Sequence, residues 1–541
     1  MELQPVPDWG TIPRMLRDQA ARHGDAEVVA SGGTTLTLAS LARQAGEVAR
    51  ALMALGVEKG DRVAVWAPNT PDWVVAAYGI WDAGAIVTPL STRFKGIEAA
   101  ELLRKAGAKA LLLAEGFMGT SYLDILAEER HSLLELDHVV VLGGPAPAAD
   151  AIGWDEFRAN GSRVSAAAAE ERALAVAPGD LAEIMATSGT TGAPKGVMLH
   201  HEQLLRGYWD WAELVTLRAG DRYPIIAPFS HGFGINAGLL ACVLRRATMM
   251  PIPVFAPDEL MGLIEEHRIS VLAGAPPMFF RLLDELEGPA PRDLSSLRVA
   301  ICGAAAVPPE LIRRLVDRVG LERMINAYGL MEGTVVSMTR PDDPVEVVAG
   351  STGRAVPGVT LRIVGDDGKD LPPGERGEIL VGGYGVMRGY WRDPERTAEA
   401  VDADGWLHTG DIGTLDGAGN LAIVDRKKEM FIVSGFNAYP AEIEGLLLRC
   451  PLVAQVAVIG VPHPRQGEVG QAYVVPAPGA DPDAVIAWAK GNMSNYKVPR
   501  RVILVDALPL NPNGKVDKPA LHARAASEDA SSPASSSRPR P

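Results

Sequence analysis

Cysteine is scarce in this 541-residue chain: Cys242, Cys302 and Cys450 are the only three. They lie far apart and form no Cys-x-x-Cys or Cys/His set, which argues against a zinc site and against a disulfide framework. Three buried apolar thiols in a reducing cytoplasm are the expectation. Positive charge is also short. With 52 Lys+Arg against 67 Asp+Glu, the formal net charge is −15, which argues against a nucleic-acid or anionic-membrane partner over most of the surface. Long apolar runs are missing too. Asp82 breaks the run from Trp73 to Leu90, and Arg245-Arg246 break the run from Ile235 to Val254, so no membrane span is expected. The opening Met1-Glu2-Leu3-Gln4-Pro5 has no basic segment followed by an apolar run, so no signal peptide is expected. No internal repeat is visible.

Apolar residues are abundant, at 47%. The length suggests at least two cores. Leu41, Ala45, Val48, Leu52 and Leu55 share one face of a helix over 37–56, which Gly56 ends. Val63 to Trp66 reads as a buried strand, a helix follows from Asp72 to Gly84, and Ala85 to Leu90 reads as another strand. This alternation continues to about residue 340 and implies α/β layers with mostly parallel sheets. Beyond 350 the strands shorten and turns multiply, as in Leu361 to Val364, Glu378 to Val381 and Leu421 to Val424.

A further unit of about a hundred residues opens with a helix near Pro440. Strands at Val453 to Ile459 and Ala472 to Val475, a helix over 482–493 and a strand at Val502 to Val505 follow. The expected fold is α/β: a large N-terminal domain (1–427) of layered α/β subdomains plus a β-rich subdomain, then a small mobile α+β domain (428–523). The Ser-, Ala- and Pro-rich stretch 524–541 is expected to be disordered.

The strongest chemical signal is Thr187-Ser188-Gly189-Thr190-Thr191-Gly192-Ala193-Pro194-Lys195-Gly196. It follows the strand-like run Leu181 to Ala186 and precedes a helix-like segment containing Leu204. Its glycines let the backbone turn sharply and aim N–H groups at one point. Four hydroxyls add donors and Lys195 adds positive charge, a combination that suits nucleotide phosphates. It is not a Walker A loop, because Gly196 rather than Ser or Thr follows the lysine.

This segment resembles the phosphate loop of the AMP-forming adenylating enzymes: acyl-CoA synthetases, peptide-synthetase adenylation domains and firefly luciferase. The resemblance extends over about 10–523. Its overall pattern is most similar to actinobacterial acyl-CoA ligases acting on the propionate side chain of partly degraded steroid rings. It implies an ATP-dependent ligase that forms acyl-AMP and pyrophosphate, then passes the acyl group to coenzyme A.

The resemblance also implies roles for residues elsewhere. In Ala327-Tyr328-Gly329-Leu330-Met331-Glu332, the Tyr328 ring would pack on adenine and Glu332 would hold Mg²⁺, with Thr187 as a further metal-side ligand. A flat ring suits a purine face, and a hard cation prefers carboxylate oxygen. Gly303, Ala304 and Ala305 match the adenine-side loop. Asp411, in Thr409-Gly410-Asp411, would accept from both ribose hydroxyls, with Arg426 on the same ribose. Lys428 matches the hinge between domains. Lys515, in Asn513-Gly514-Lys515, matches the adenylation lysine, whose positive charge can offset charge growing at the α-phosphate. Ser434, Gly435 and Phe436 match the thiol-tunnel segment. His231, Phe233, Gly234 and Ile235, in Pro228-Phe229-Ser230-His231-Gly232-Phe233-Gly234, match the acid pocket, with Phe229 and Phe280 as further candidates for an apolar wall.

One position departs from the pattern. The family has Thr or Ser before the magnesium glutamate, whereas this chain has Met331. A thioether donates no hydrogen bond, and losing a charge-assisted donor costs about 1.5–3 kcal/mol. Adenylation is then slower, or Thr187 or Thr191 compensates, or the chain is a low-turnover variant. Two other readings are open: an acyl-AMP ligase loading a separate carrier protein, and, from a different class, a non-catalytic nucleotide-binding protein. An amino-acid substrate is disfavoured, because the stretch Phe229-Ser230-His231 has no acid to pair an α-ammonium.

Overall fold

The computed structural model describes residues 3–147, 150–187, 194–274, 276–286, 292–302, 309–426, 430–509 and 516–531. They fall into two compact units, one with described residues up to 426 and one from 430 onward.

The first unit is built on a seven-stranded sheet. Its strands are β1 (Arg62–Trp66), β2 (Ile86–Pro89), β3 (Ala108–Leu113), β4 (His138–Val141), β5 (Ile152–Gly153), β6 (Leu181–Thr187) and β7 (Lys195–His200), in the order β5-β4-β3-β1-β2-β6-β7. Every pair is parallel except β6–β7. The helix Pro71–Asp82, between β1 and β2, is buried nearly all round. Thr70 caps it by accepting from the Trp73 N–H, and proline occupies its first turn. It crosses the helix Leu38–Ala54 so closely that a Cβ on Gly79 would lie 2.4 Å from Val48. Asp82, which interrupts the apolar run in sequence, is buried too. Arg17 compensates it at 2.8 Å, and burial still raises its carboxyl above the ordinary range.

Two further mixed sheets extend the layering. One orders Arg222–Ile225, Thr248–Pro251, Glu27–Ser31 and Thr34–Thr37. The other orders Val271–Gly274, Val299–Cys302, Arg323–Leu330, Thr334–Met338 and Arg354–Ala355. The β-rich part beyond 350 is an antiparallel sheet of Val359–Val364, Gly377–Gly383, Leu407–Leu415 and Leu421–Arg426. All three cysteines are buried.

The second unit has a five-stranded sheet, with helices Pro440–Leu447 and Pro482–Asn492 beside it. A buried pair, Lys497 Nζ to Glu442 Oε1 at 2.6 Å, lies within it. The sequence expectation of disorder from 524 is corrected here. A helix runs over Lys518–Ser531. Leu521 and Ala525 are buried, and the Arg524 guanidinium lies 5.4 Å from the Tyr473 ring centroid. Alanine-rich sequence has high helix propensity, and these contacts fix one face. The part of the tail beyond 531 lies outside the described residues.

Candidate active site

Strands β6 and β7 form a hairpin, and Thr187 and Lys195 face each other as register partners where it opens. The expected phosphate loop therefore falls between two antiparallel strands, and the helix His201–Leu214 begins only after β7. The sequence pattern runs directly from loop to helix and misses β7. The Thr187 hydroxyl oxygen is buried with no partner among the described residues. Ser188, Gly189, Thr190, Thr191 and Gly192 lie outside those residues, as do Gly303, Ala304, Ala305, Lys428 and Lys515.

Glu332 is half-buried in the turn between Arg323–Leu330 and Thr334–Met338. Its Oε1 accepts from the Tyr390 hydroxyl at 2.8 Å. The same Tyr390 ring lies beneath Lys195, with Nζ 4.6 Å from the ring centroid. Tyr328 and Asp411, 83 residues apart, meet directly: the tyrosine hydroxyl donates to Asp411 Oδ2 at 2.6 Å, and both residues are buried. Asp411 is also the register partner of Arg426, so adjacent strands place the two expected ribose residues side by side. At Gly329 a Cβ would lie 2.5 Å from the Thr334 carbonyl oxygen, a close approach only glycine permits.

In the segment expected to border the acid, His231 caps the short turn Gly232–Gly234 and accepts the Phe233 N–H on Nδ1 at 3.2 Å. Its imidazole keeps accessible surface, yet the surrounding protein desolvates it and lowers its pKa below the ordinary value. A recessed side chain shows both properties. A π-helical segment, Ile235–Leu240, follows, a form that often marks functional sites.

Phe233 meets Trp211 edge-on at 6.4 Å. Phe229 and Ile235 are packed in the main core, and Phe280 is partly exposed. Gly234 has no room for a side chain, since a Cβ would lie 2.1 Å from the Pro228 carbonyl oxygen. Met331 reaches this segment: a Cβ on Gly232 would lie 2.8 Å from its Sδ and 3.9 Å from Asn236 Nδ2. Asn236 in turn donates to Glu183 Oε2 at 3.0 Å. Burial pushes the Glu183 carboxyl up to about 7, partly offset by that hydrogen bond.

In the second unit, Ser434 and Gly435 have φ of 50° and 86°. They form a two-residue turn between Phe431–Val433 and Phe436–Ala438, the left-handed geometry such hairpins favour. Phe436 stacks on Tyr496 with centroids 5.1 Å apart.

The family description "AMP-binding enzyme" matches residues 16–391, and "AMP-binding enzyme C-terminal domain" matches 442–515. The chain belongs to the AMP-binding enzyme family, as an AMP-forming acyl-CoA synthetase. A ligase of Rhodococcus jostii, named 3-[(3aS,4S,7aS)-7a-methyl-1,5-dioxo-octahydro-1H-inden-4-yl]propanoyl:CoA ligase, is 45% identical over 94% of this chain and 98% of its own length. A Mycobacterium tuberculosis protein of the same name is 45% identical over 95% and 99%. Among solved structures, the amide bond synthetase McbA of Marinactinospora thermotolerans superposes with a TM-score of 0.78 at 29% identity, covering 95% of this chain and 99% of that one.

Two features of the synthetase escape a reading of its motifs. Tyr390 carries no charge and belongs to none of the short motifs quoted above, although the Gly389-Tyr390-Trp391 turn after a strand was a signal to follow. Glu183 sits in a run of apolar residues, Leu181 to Ala186, and a lone acid there was the available signal of a buried polar site.

Proposed function

We propose that the acid this synthetase joins to coenzyme A is a propanoate carried on a fused-ring ketone. The observation that carries the reading is 45% identity, over nearly the full length of both chains, to two ligases named for such an acid. The contact of Met331 with Gly232 supports it, because it puts a thioether rather than a phosphate donor beside the acid segment.

In this reading a carboxylate oxygen of the acid attacks the α-phosphorus of ATP. The bond to the β-phosphate breaks and pyrophosphate leaves. The thiol of coenzyme A then attacks the acyl carbon and AMP departs with the oxygen it gained. The Thr187–Lys195 hairpin receives phosphates, Tyr328 backs adenine, and Asp411 with Arg426 holds ribose. His231 borders the acid carboxylate. Lys515 serves adenylation, Lys428 is the hinge, and Ser434 to Phe436 line the thiol path.

The residues fit a magnesium ion brought in by ATP. Glu332 offers a carboxylate, the Thr187 hydroxyl is a buried oxygen without a partner among the described residues, and Mg²⁺ is commonly held by one or two carboxylates plus substrate phosphates. When bound, the ion would neutralise phosphate charge. The reaction partners are small molecules, and the setting is the cytoplasm.

Pyrophosphate release measured over a panel of acids tests the reading: the dioxo-indane propanoate, an aromatic acid such as ferulate, and a medium-chain fatty acid. The bicyclic acid should give the highest kcat/KM, with the coenzyme A thioester as product. A preference of about tenfold or more for either other class contradicts it. Stalled acyl-AMP that is consumed only by a carrier protein would replace the acceptor and leave the adenylation half intact.

A further inference from the structure

The segment 387–391 is fastened at both ends to the adenylation site. The Met387 N–H donates to the Glu332 carbonyl at 2.7 Å, and the Trp391 N–H donates to the Gly196 carbonyl at 2.7 Å, next to Lys195. Between them the Met198 N–H donates to the Gly389 carbonyl at 3.0 Å. Gly389 has φ of 138° and a Cβ there would lie 2.8 Å from Thr397, so any side chain at this position would be strained. Tyr390 emerges from it nearly buried, with its N–H held by Thr397 Oγ1 at 2.9 Å. Its hydroxyl reaches Glu332 and its ring face carries the Lys195 ammonium.

We infer that Tyr390 is a positioning residue for adenylation, holding Glu332 and Lys195 at fixed places on either side of the space for the metal and phosphates. This rests on the reading of those two residues as the magnesium and phosphate groups. A lysine and a glutamate near one another are drawn into a direct ion pair, which would close that space. A phenol prevents this with two different contacts. Its O–H donates to one carboxylate oxygen, which fixes the rotamer and leaves the other oxygen free to turn towards a cation. Its π face attracts the ammonium without offering an anionic site that would hold it. Preorganised charge of this kind lowers the reorganisation needed when MgATP arrives.

Tyr390→Phe keeps the ring and removes the hydroxyl, whereas Tyr390→Leu removes both. ATP binding to the full chain is measured by calorimetry with and without Mg²⁺, alongside the melting temperature. Tyr390→Phe should bind metal-free ATP as the wild type does, while the Mg²⁺ concentration needed for half-maximal enhancement rises about tenfold, the loss of one charge-assisted hydrogen bond. In a Glu332→Gln background the same substitution should have no further effect. Tyr390→Leu should also weaken metal-free ATP. If it fails to fold, the phenylalanine variant decides alone. Wild-type Mg²⁺ dependence in Tyr390→Phe, or an equal loss with and without Glu332, overturns the inference. No acid is needed, so failure of the substrate assignment leaves this test intact.

Discussion

The Tyr328 hydroxyl donates to Asp411 Oδ2 at 2.6 Å, joining the residue proposed to back adenine to the residue proposed to hold ribose. Under the proposed roles, two strands of different sheets present one nucleoside surface. Tyr328→Phe keeps the ring but releases the carboxylate, so ATP affinity should fall about tenfold. Asp411→Asn should cost more, because it also weakens the ribose acceptor. The double variant should lose less than the two single losses combined, as coupled neighbours do. Full additivity in a calorimetric cycle contradicts a shared surface.

Met331 packs against Gly232 in the segment headed by His231. Under the proposed role of that segment, the departure from the family pattern acts on the acid side of the site. Met331→Thr should raise KM for the bicyclic acid and leave KM for ATP unchanged, since it removes apolar contact from the acid wall. A rise of about tenfold in adenylation rate at constant acid KM, equivalent to about 1.4 kcal/mol in the barrier, would instead show that the missing hydroxyl dominates.

What could be read from residues alone follows from the range of the interactions involved. The helices Leu38–Ala54 and Pro71–Asp82 announce themselves by periodicity, capping and proline placement, all local. The strand Lys195–His200 does not. Six residues with no turn between them and the helix at His201 read as the start of that helix, and only pairing with Leu181–Thr187 makes them a strand. The helix over Lys518–Ser531 is fixed by the distant Tyr473. The motif residues Tyr328, Glu332, Asp411 and His231 were nameable from their segments. Their contacts, and the involvement of Tyr390, depend on chain crossings of 58 and 83 residues that no local pattern encodes.

Glu183 gives a pH-dependent prediction. An ordinary glutamate titrates near 4.5, whereas burial pushes Glu183 up to about 7. Between those values the folded chain holds a proton that the unfolded chain has released, so this residue's contribution to stability falls as pH rises through the window. Glu183→Gln removes the dependence. Relative to wild type, its unfolding free energy should improve from about pH 4.5 to pH 8 by up to about 3 kcal/mol. Buried His201, pulled down to about 3, acts with the opposite sign but is present in both proteins and cancels. A difference that is flat with pH contradicts the assignment.

The two half-reactions should separate genetically. Lys515→Ala should abolish acyl-AMP formation while a supplied acyl-adenylate is still converted to thioester. Lys428→Pro fixes φ at the expected hinge, so acyl-AMP should accumulate with little thioester made. Chromatographic assay of both products checks this. Equal loss of both steps in Lys515→Ala, or normal turnover in Lys428→Pro, removes that residue from its role.

The central claim is that the acid is activated as acyl-AMP before coenzyme A attacks it, and an isotope measures this directly. With the carboxylate oxygens of the acid labelled with ¹⁸O, one labelled oxygen becomes the bridge in acyl-AMP and leaves on AMP when the thiol attacks. Mass spectrometry of AMP after a single turnover should show one ¹⁸O per molecule and none in pyrophosphate. Unlabelled AMP, or label in a phosphate product, would contradict an acyl-adenylate route.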